Sequence, residues 1–330
     1  MINIGILGCG RIGQVHVRSL SRMSNARVVA VSDPVSDAAQ TLAASSGAVS
    51  RDTDAILSDP GIDAVIIGTP TSTHYELIHA AAGQGKAIFC EKPIDLSVAR
   101  IRDCLSAIET AAVPMFVAFN RRFDPNFAHL HDRIQQGDLG EVELVTLLSR
   151  DPAPPPIEYI KSSGGLFRDM MIHDFDMARF LLGEEPVELV AHGACLVDPE
   201  IGEAGDVDTA GVMLKTKTGK ICQISNSRRA SYGYDQRIEV HGSQGMARAD
   251  NQLTSTVEIA SAAGFTKSPA QHFFLERYEA AYAAEMRHFV ACLENGTSPS
   301  PNGSDGLSAQ ILADAADLSH REGRAIKLGQ

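Results

Sequence analysis

The segment Gly8-Cys9-Gly10-Arg11-Ile12-Gly13 constrains the fold of this chain more than any other, because of what flanks it. Residues 4–7 form an apolar run of strand length, and Ile12, Val15, His16 and Leu20 follow the turn at helical spacing. In such a strand–turn–helix, Gly8 makes the tight turn, Gly10 lets a pyrophosphate approach the backbone and Gly13 lets helix lie close on strand. The phosphates then sit at the helix N-terminus. Glycine triplets also arise in ordinary loops, so the motif alone decides little. Asp33 adds to it by closing a second apolar run twenty residues after Gly13, where a carboxylate bonds the adenosine ribose of a dinucleotide. A carboxylate there repels a 2′-phosphate, and Pro34 supplies no offsetting cation, so NAD is expected over NADP. The bland alternative is that Asp33 only begins a turn before Pro34.

Apolar runs at 64–68, 87–90 and 115–119 alternate with helical patterns, as in a parallel sheet covered on both faces. Ligands of such sheets lie beyond the carboxyl ends of the strands. Thr69-Pro70-Thr71-Ser72-Thr73-His74, Glu91-Lys92-Pro93 and Asn120-Arg121-Arg122 occupy those ends. Thr69, Pro70, His74, Glu91 and Lys92 therefore join Gly8, Gly10, Arg11, Ile12, Gly13 and Asp33 as candidate cofactor residues, and Asn120 and Arg121 belong to the same candidate site. A solvated surface lysine poorly explains a Lys-Pro placed directly after a buried strand.

The alternation stops near residue 120, which predicts two domains, 1–120 and 121–330. The second is expected to carry a helix at 126–136, a strand at 142–149, a rigid proline-rich loop at 151–156, and strands at 189–196, 210–215, 220–227 and 236–242 in a largely antiparallel sheet. Helices at 275–294 and 306–320 complete it. Gly164-Gly165 precede a helical pattern that places Asp169, His173 and Asp176 at i, i+4 and i+7 on one face, with Asp174 turned away. A carboxylate one turn from a histidine orients the imidazole and raises its proton affinity, as a general base requires. A helix-terminal charge and a satisfied core histidine would give the same pattern.

Composition removes other classes. With 29 basic against 41 acidic residues and a net charge of -12, the chain would repel a nucleic-acid backbone, and no basic stripe exceeds Arg228-Arg229. The six cysteines form no C-x-x-C pair, which points to reduced thiols in the cytoplasm, and no metal centre is expected. No apolar run approaches the ~18 residues of a membrane span, and no basic leader precedes the first strand.

The glycine turn, Thr69-Pro70 with His74, Glu91-Lys92-Pro93, FNRRFDP at 119–125 and GGLFRDMMIHDFDMARFL at 164–181 together resemble the Gfo/Idh/MocA family of sugar and cyclitol dehydrogenases. The resemblance runs almost end to end and includes Ser149-Arg150-Asp151-Pro152 and Tyr232-Gly233-Tyr234-Asp235. It implies an α/β chain, with an N-terminal Rossmann domain of doubly wound parallel sheet and a C-terminal α/β domain whose large, mainly antiparallel open sheet assembles a homotetramer. It also implies a catalytic set of Lys92, Asp169 and His173, with Arg121, Asp151, Asp176, Tyr232 and Tyr234 binding substrate hydroxyls. The implied reaction is oxidation of a cyclic polyol such as myo-inositol by hydride transfer to NAD. Scyllo-inositol or an aldose is the alternative substrate, and a silent NAD-binding sensor would be expected to lack Lys92 or His173. Some family members carry histidine and asparagine where this chain has Ser149 and Asp151.

Overall fold

In the computed structural model, which describes residues 1–329, the strands β1 (Ile2–Leu7), β2 (Ala26–Ser32), β3 (Val49–Ser50), β4 (Ala64–Ile67), β5 (Ala87–Cys90) and β6 (Met115–Val117) alternate with helices. The helices are α1 (Arg11–Leu20), α2 (Ser36–Ser46), α3 (Thr53–Leu57), α4 (His74–Gly83) and α5 (Val98–Ala111). All six strands pair in parallel in the order β3-β2-β1-β4-β5-β6, so the winding reverses between β1 and β4. Every residue of β4 and β5 is buried, which is why they read as continuous apolar runs without alternation.

The next segment opens with α6 (Pro125–Gln135), started by Asp124, whose carboxylate accepts from the amides of Asn126 at 3.1 Å and Phe127 at 3.2 Å, with proline in the first turn. The elements β7 (Val142–Arg150), α7 (Ile157–Ser163), α8 (Gly165–Asp169), α9 (Ile172–Leu182), β8 (Pro186–Ala194), α10 (Pro199–Glu203), β9 (Thr209–Thr216), β10 (Ile221–Ser227), β11 (Asp235–Gly242) and β12 (Gly245–Ala249) follow. After the hairpin β13 (Glu258–Ser261) and β14 (Gly264–Lys267) come α11 (Phe274–Arg277), α12 (Glu279–Asn295), α13 (Gly303–Glu322) and β15 (Ile326–Lys327). Seven strands form a sheet in the order β12-β11-β7-β10-β9-β8-β15, antiparallel at every pairing except β7 with β10. Along β9, Ala210, Val212 and Leu214 are buried while Gly211, Met213 and Lys215 face out, and α9 packs on β7 and β10. Arg277 and Asp124 form an ion pair with neither side chain open to solvent, and the Arg277 guanidinium lies 5.2 Å from the Phe127 ring centroid.

The chain divides into residues 1–123 with 280–310, and 124–279 with 311–330, and not at 120/121 with everything later in one body. Packing explains the difference. Met286, Phe289 and Val290 of α12 belong to the same buried cluster as Ile4, Ile6, Phe89 and Phe116, and the Phe289 ring stands edge-on to Phe89 at 5.5 Å. Residues 280–310 therefore complete the first core.

Candidate active site

The turn after β1 is shaped by backbone approach. Gly8 has φ 99°, and a Cβ on it would lie 2.6 Å from the carbonyl oxygen of Gly68 at the end of β4. A Cβ on Gly13 would sit 2.0 Å from the carbonyl oxygen of Gly8, so helix and turn touch backbone to backbone. Around Gly10 the opposite holds: nothing lies within 4 Å of where a Cβ would be. Gly10 is also the N-cap of α1 and no side chain caps that end, which leaves the first amides available to an anion. Asp33 is half-buried at the end of β2, where its Oδ2 accepts from the Cys9 amide at 2.7 Å and its Oδ1 from the Val35 amide at 2.8 Å. It ties the turn to β2 and also begins the turn after Pro34. These features fit a dinucleotide: an open cradle for pyrophosphate, free amides behind it and a carboxylate at the ribose position.

The loops beyond β4 and β5 are cross-linked. His74, the first residue of α4, is buried, with Nδ1 at 2.8 Å from the Pro93 carbonyl oxygen and Nε2 at 2.9 Å from that of Thr69. Burial pulls its pKa down, while the two carbonyls and the carboxylates of Glu91 and Asp95 act in the other direction. Both ring nitrogens face backbone, so His74 ties the two loops together. Glu91 is fixed twice: its amide donates to the Ile67 carbonyl at 3.0 Å, and its Oε1 accepts from His16 Nε2 at 2.7 Å. Lys92, half-buried, thus sits between two anchored neighbours. Asn120 and Arg121 are buried in the turn after β6, and Thr69 and Pro70 remain at least partly open.

In the second unit the expected single helix is broken. Gly164 and Gly165 both have positive φ, and α8 then runs only to Asp169. The amides of Met170 and Met171 both reach the Leu166 carbonyl, at 3.1 and 2.9 Å, so one carbonyl receives amides four and five residues on and the register slips by one residue. α9 starts afresh at Ile172, and the i, i+4 geometry of one continuous helix does not apply to Asp169 and His173. Asp169 Oδ1 accepts from the Tyr159 hydroxyl at 2.9 Å, and its Oδ2 lies 3.7 Å from Arg228 Nη2. That guanidinium is 1% exposed and is also 3.8 Å from Asp206, whose two oxygens each lie 3.0 Å from the Leu166 amide. Burial pushes the Asp206 carboxyl up despite those bonds.

His173 is half-buried on α9, and Asp176 is fully buried with Arg179 Nη1 at 3.9 Å. Asp174 turns into the sheet and accepts from Ser149 Oγ at 2.7 Å and Asn226 Nδ2 at 3.0 Å. Ser149 is thereby committed to the sheet, bonding Gln236 as well, whereas Asp151 is half-buried in the loop after β7. Tyr234 is buried against Tyr278, and Tyr232 is exposed, its hydroxyl donating to Asp235 at 2.8 Å. The residues that sequence reasoning missed are His16, Tyr159, Asp206 and Arg228. The only signals were a histidine at helical spacing after Gly13 and the basic pair Arg228-Arg229.

The first unit matches the NAD-binding Rossmann-fold model of the oxidoreductase family over residues 2–119, and residues 127–248 match the GFO/IDH/MocA C-terminal domain. The chain is 53% identical over 327 residues to an inositol 2-dehydrogenase of Rhizobium meliloti, covering 99% of both. It is 44% identical to a myo-inositol 2-dehydrogenase of Thermotoga maritima, covering 99% of this chain and 98% of that one. A crystal structure of scyllo-inositol dehydrogenase from Lactobacillus casei with bound NAD(H) and scyllo-inositol superposes with a TM-score of 0.92 at 28% identity, covering 99% of each chain.

Proposed function

The chain belongs to the GFO/IDH/MocA oxidoreductase family, and on that premise we propose that it oxidises one secondary hydroxyl of myo-inositol to the 2-keto compound with NAD. The observation that carries this reading is the placement of Lys92 directly after β5, in the sheet whose glycine turn after β1 is open to a dinucleotide. Bound NAD supplies the acceptor for the hydride that leaves the substrate carbon.

In this reading His173 accepts the hydroxyl proton as the carbon–oxygen double bond forms, and the Lys92 ammonium stabilises the alkoxide character that develops on oxygen. Asp169 orients the imidazole and stabilises its charged form. The Tyr159 hydroxyl bonds Asp169 at 2.9 Å and Arg228 Nη2 lies 3.7 Å away, which keeps its carboxyl group in place. Asn120, Arg121, Asp151, Asp176, Tyr232 and Tyr234 bind the remaining hydroxyls. Asp33 excludes a 2′-phosphate.

The protein works as a cytoplasmic homotetramer assembled through the seven-stranded sheet. Six unpaired cysteines support a reducing compartment, and the outward row of β9, with Met213 45% exposed, supports a face used for assembly. A net charge of -12 supports a small-molecule partner over nucleic acid. Scyllo-inositol is the second substrate reading, favoured by the structural match to an enzyme that binds it. The test is purified protein with NAD or NADP and a panel of inositol isomers and aldoses, followed by absorbance of the reduced nicotinamide. Turnover of myo-inositol with NAD is expected. No turnover of any cyclitol would overturn the proposal.

A further inference from the structure

The face of the seven-stranded sheet that meets α9 is built in rungs. Residues directly opposite on neighbouring strands point to the same side. Register places Val145 of β7 between Cys222 of β10 and Val240 of β11, and then Leu147 between Ile224 and Ile238. All six are buried, so both rungs are apolar. The next rung breaks the pattern: Ser149 stands between Asn226 and Gln236, and none of the three is more than 1% exposed. Polar side chains at that depth destabilise unless donors and acceptors are matched. Asp174 of α9 accepts from Ser149 Oγ at 2.7 Å and from Asn226 Nδ2 at 3.0 Å, while Ser149 Oγ also reaches Gln236 Oε1 at 2.9 Å. A hydroxyl has one proton to give, and two acceptors call on this one. Among the described residues, Gln236 Nε2 and Asn226 Oδ1 have no partner. An apolar rung would pack without these conflicts, so stability does not account for a polar one.

We propose that Asp174, Ser149, Asn226 and Gln236 are positioning residues that lock the rotation of α9 on the sheet and so aim His173, the residue directly before Asp174. Apolar contacts let a helix roll on a sheet, whereas two bonds from adjacent strands to one carboxyl group fix its direction. The donors run one way. Turning the Gln236 amide over sets its Nε2 on Ser149 Oγ, which frees the single proton of Ser149 for Asp174, and Asn226 supplies the second bond. The rung thus ends on the helix that carries His173 and Asp176. This inference rests on the proton-accepting role given to His173 above.

The experiment measures kcat of the purified protein with NAD and myo-inositol. Asp174→Asn still accepts from Ser149, and its amide donates to Asn226 Oδ1 once that side chain turns over, so kcat should stay within about threefold. Asp174→Leu offers no bond and should lower kcat by about 10- to 10²-fold, the scale of a misplaced reacting group. The deciding readout is a cycle with His173→Ala. If Asp174 acts through His173, Asp174→Leu should add less than about twofold to the loss already present in His173→Ala. An added loss as large as in the wild-type background would make Asp174 an ordinary structural residue and overturn the proposal. Where Asp174→Leu does not fold, Ser149→Ala, which removes one of the two bonds, is read in the same cycle. Combining Asp174→Leu with Asn226→Leu makes the contact apolar and should restore the unfolding midpoint while kcat stays low. Recovery of kcat in that double variant, or Asp174→Asn as slow as Asp174→Leu, would also overturn it. Full turnover in His173→Ala would sink the proposed function, whereas a slow His173→Ala beside a fully active Asp174→Leu would remove the positioning role alone.

Discussion

The glycine turn of the first unit and the broken helix of the second prepare for charge in opposite ways. The turn uses almost no side chains. It is an absence of Cβ atoms, an uncapped helix end and one carboxylate held by two amides, so an anion meets dipoles already aligned. The segment around Asp169 and His173 uses side chains drawn from residues 159, 206 and 228, held by a buried guanidinium 3.7 and 3.8 Å from two carboxylates. A site built from backbone tolerates any side chain that stays out of it. One built from buried charges depends on every member of the set, because removing one leaves the rest uncompensated.

The largest expected effect falls on the second region. His173→Ala should lower turnover by about 10² to 10⁴ while leaving NAD binding nearly intact, as measured by steady-state rates and by titration of the cofactor. If NAD binding fell equally, the division of labour between the two regions would be lost. Next is Arg228→Met, which leaves Asp169 and Asp206 facing each other and should cost about 3 kcal/mol in urea unfolding at neutral pH. Those carboxyls would then hold protons in the folded chain that the unfolded chain releases, so the deficit should shrink as pH falls toward 5. A deficit that grew with acid would show that the arginine does not serve these carboxylates.

In the first region the glycines should separate cleanly. Gly13→Ala meets a carbonyl 2.0 Å away and should lose about 1–3 kcal/mol of stability. Gly10→Ala enters open space, so its unfolding midpoint should be unchanged while the Kd for NAD rises about tenfold. Equal behaviour of the two variants would refute the assignment of one glycine to packing and the other to ligand. The smallest effect is on Asp33→Asn, which should improve NADP relative to NAD by about fivefold in kcat/KM, roughly one charge–charge repulsion near a surface.

Legibility followed how local each feature is. The first unit could be read because strand, turn, helix and acid lie within about thirty residues, and because buried parallel strands leave unmistakable apolar runs. Alternation likewise revealed β7 to β11. It could not reveal that β7 and β10 run parallel, since pairing order is not written in either strand. The hairpin β13–β14 is exposed along its whole length and so has no inward face to produce a pattern. Asp169 and His173 were singled out by residue type and spacing, but the break between them depends on two amides sharing the Leu166 carbonyl, which no spacing rule signals. Gly165 is a similar case: a Cβ there would lie 2.6 Å from Asp206, forty-one residues later. Arg228 gave no sign of its role because its partners, Asp169 and Asp206, are distant in sequence.

The return of α12 to the first core has a consequence for synthesis. The dinucleotide-binding body begins at residue 2, yet Met286, Phe289 and Val290 that seal it are translated only after the whole of 124–279. During biosynthesis residues 2–123 must wait, their apolar flank uncovered, until α12 has been made, so shielding by chaperones would matter most for that segment.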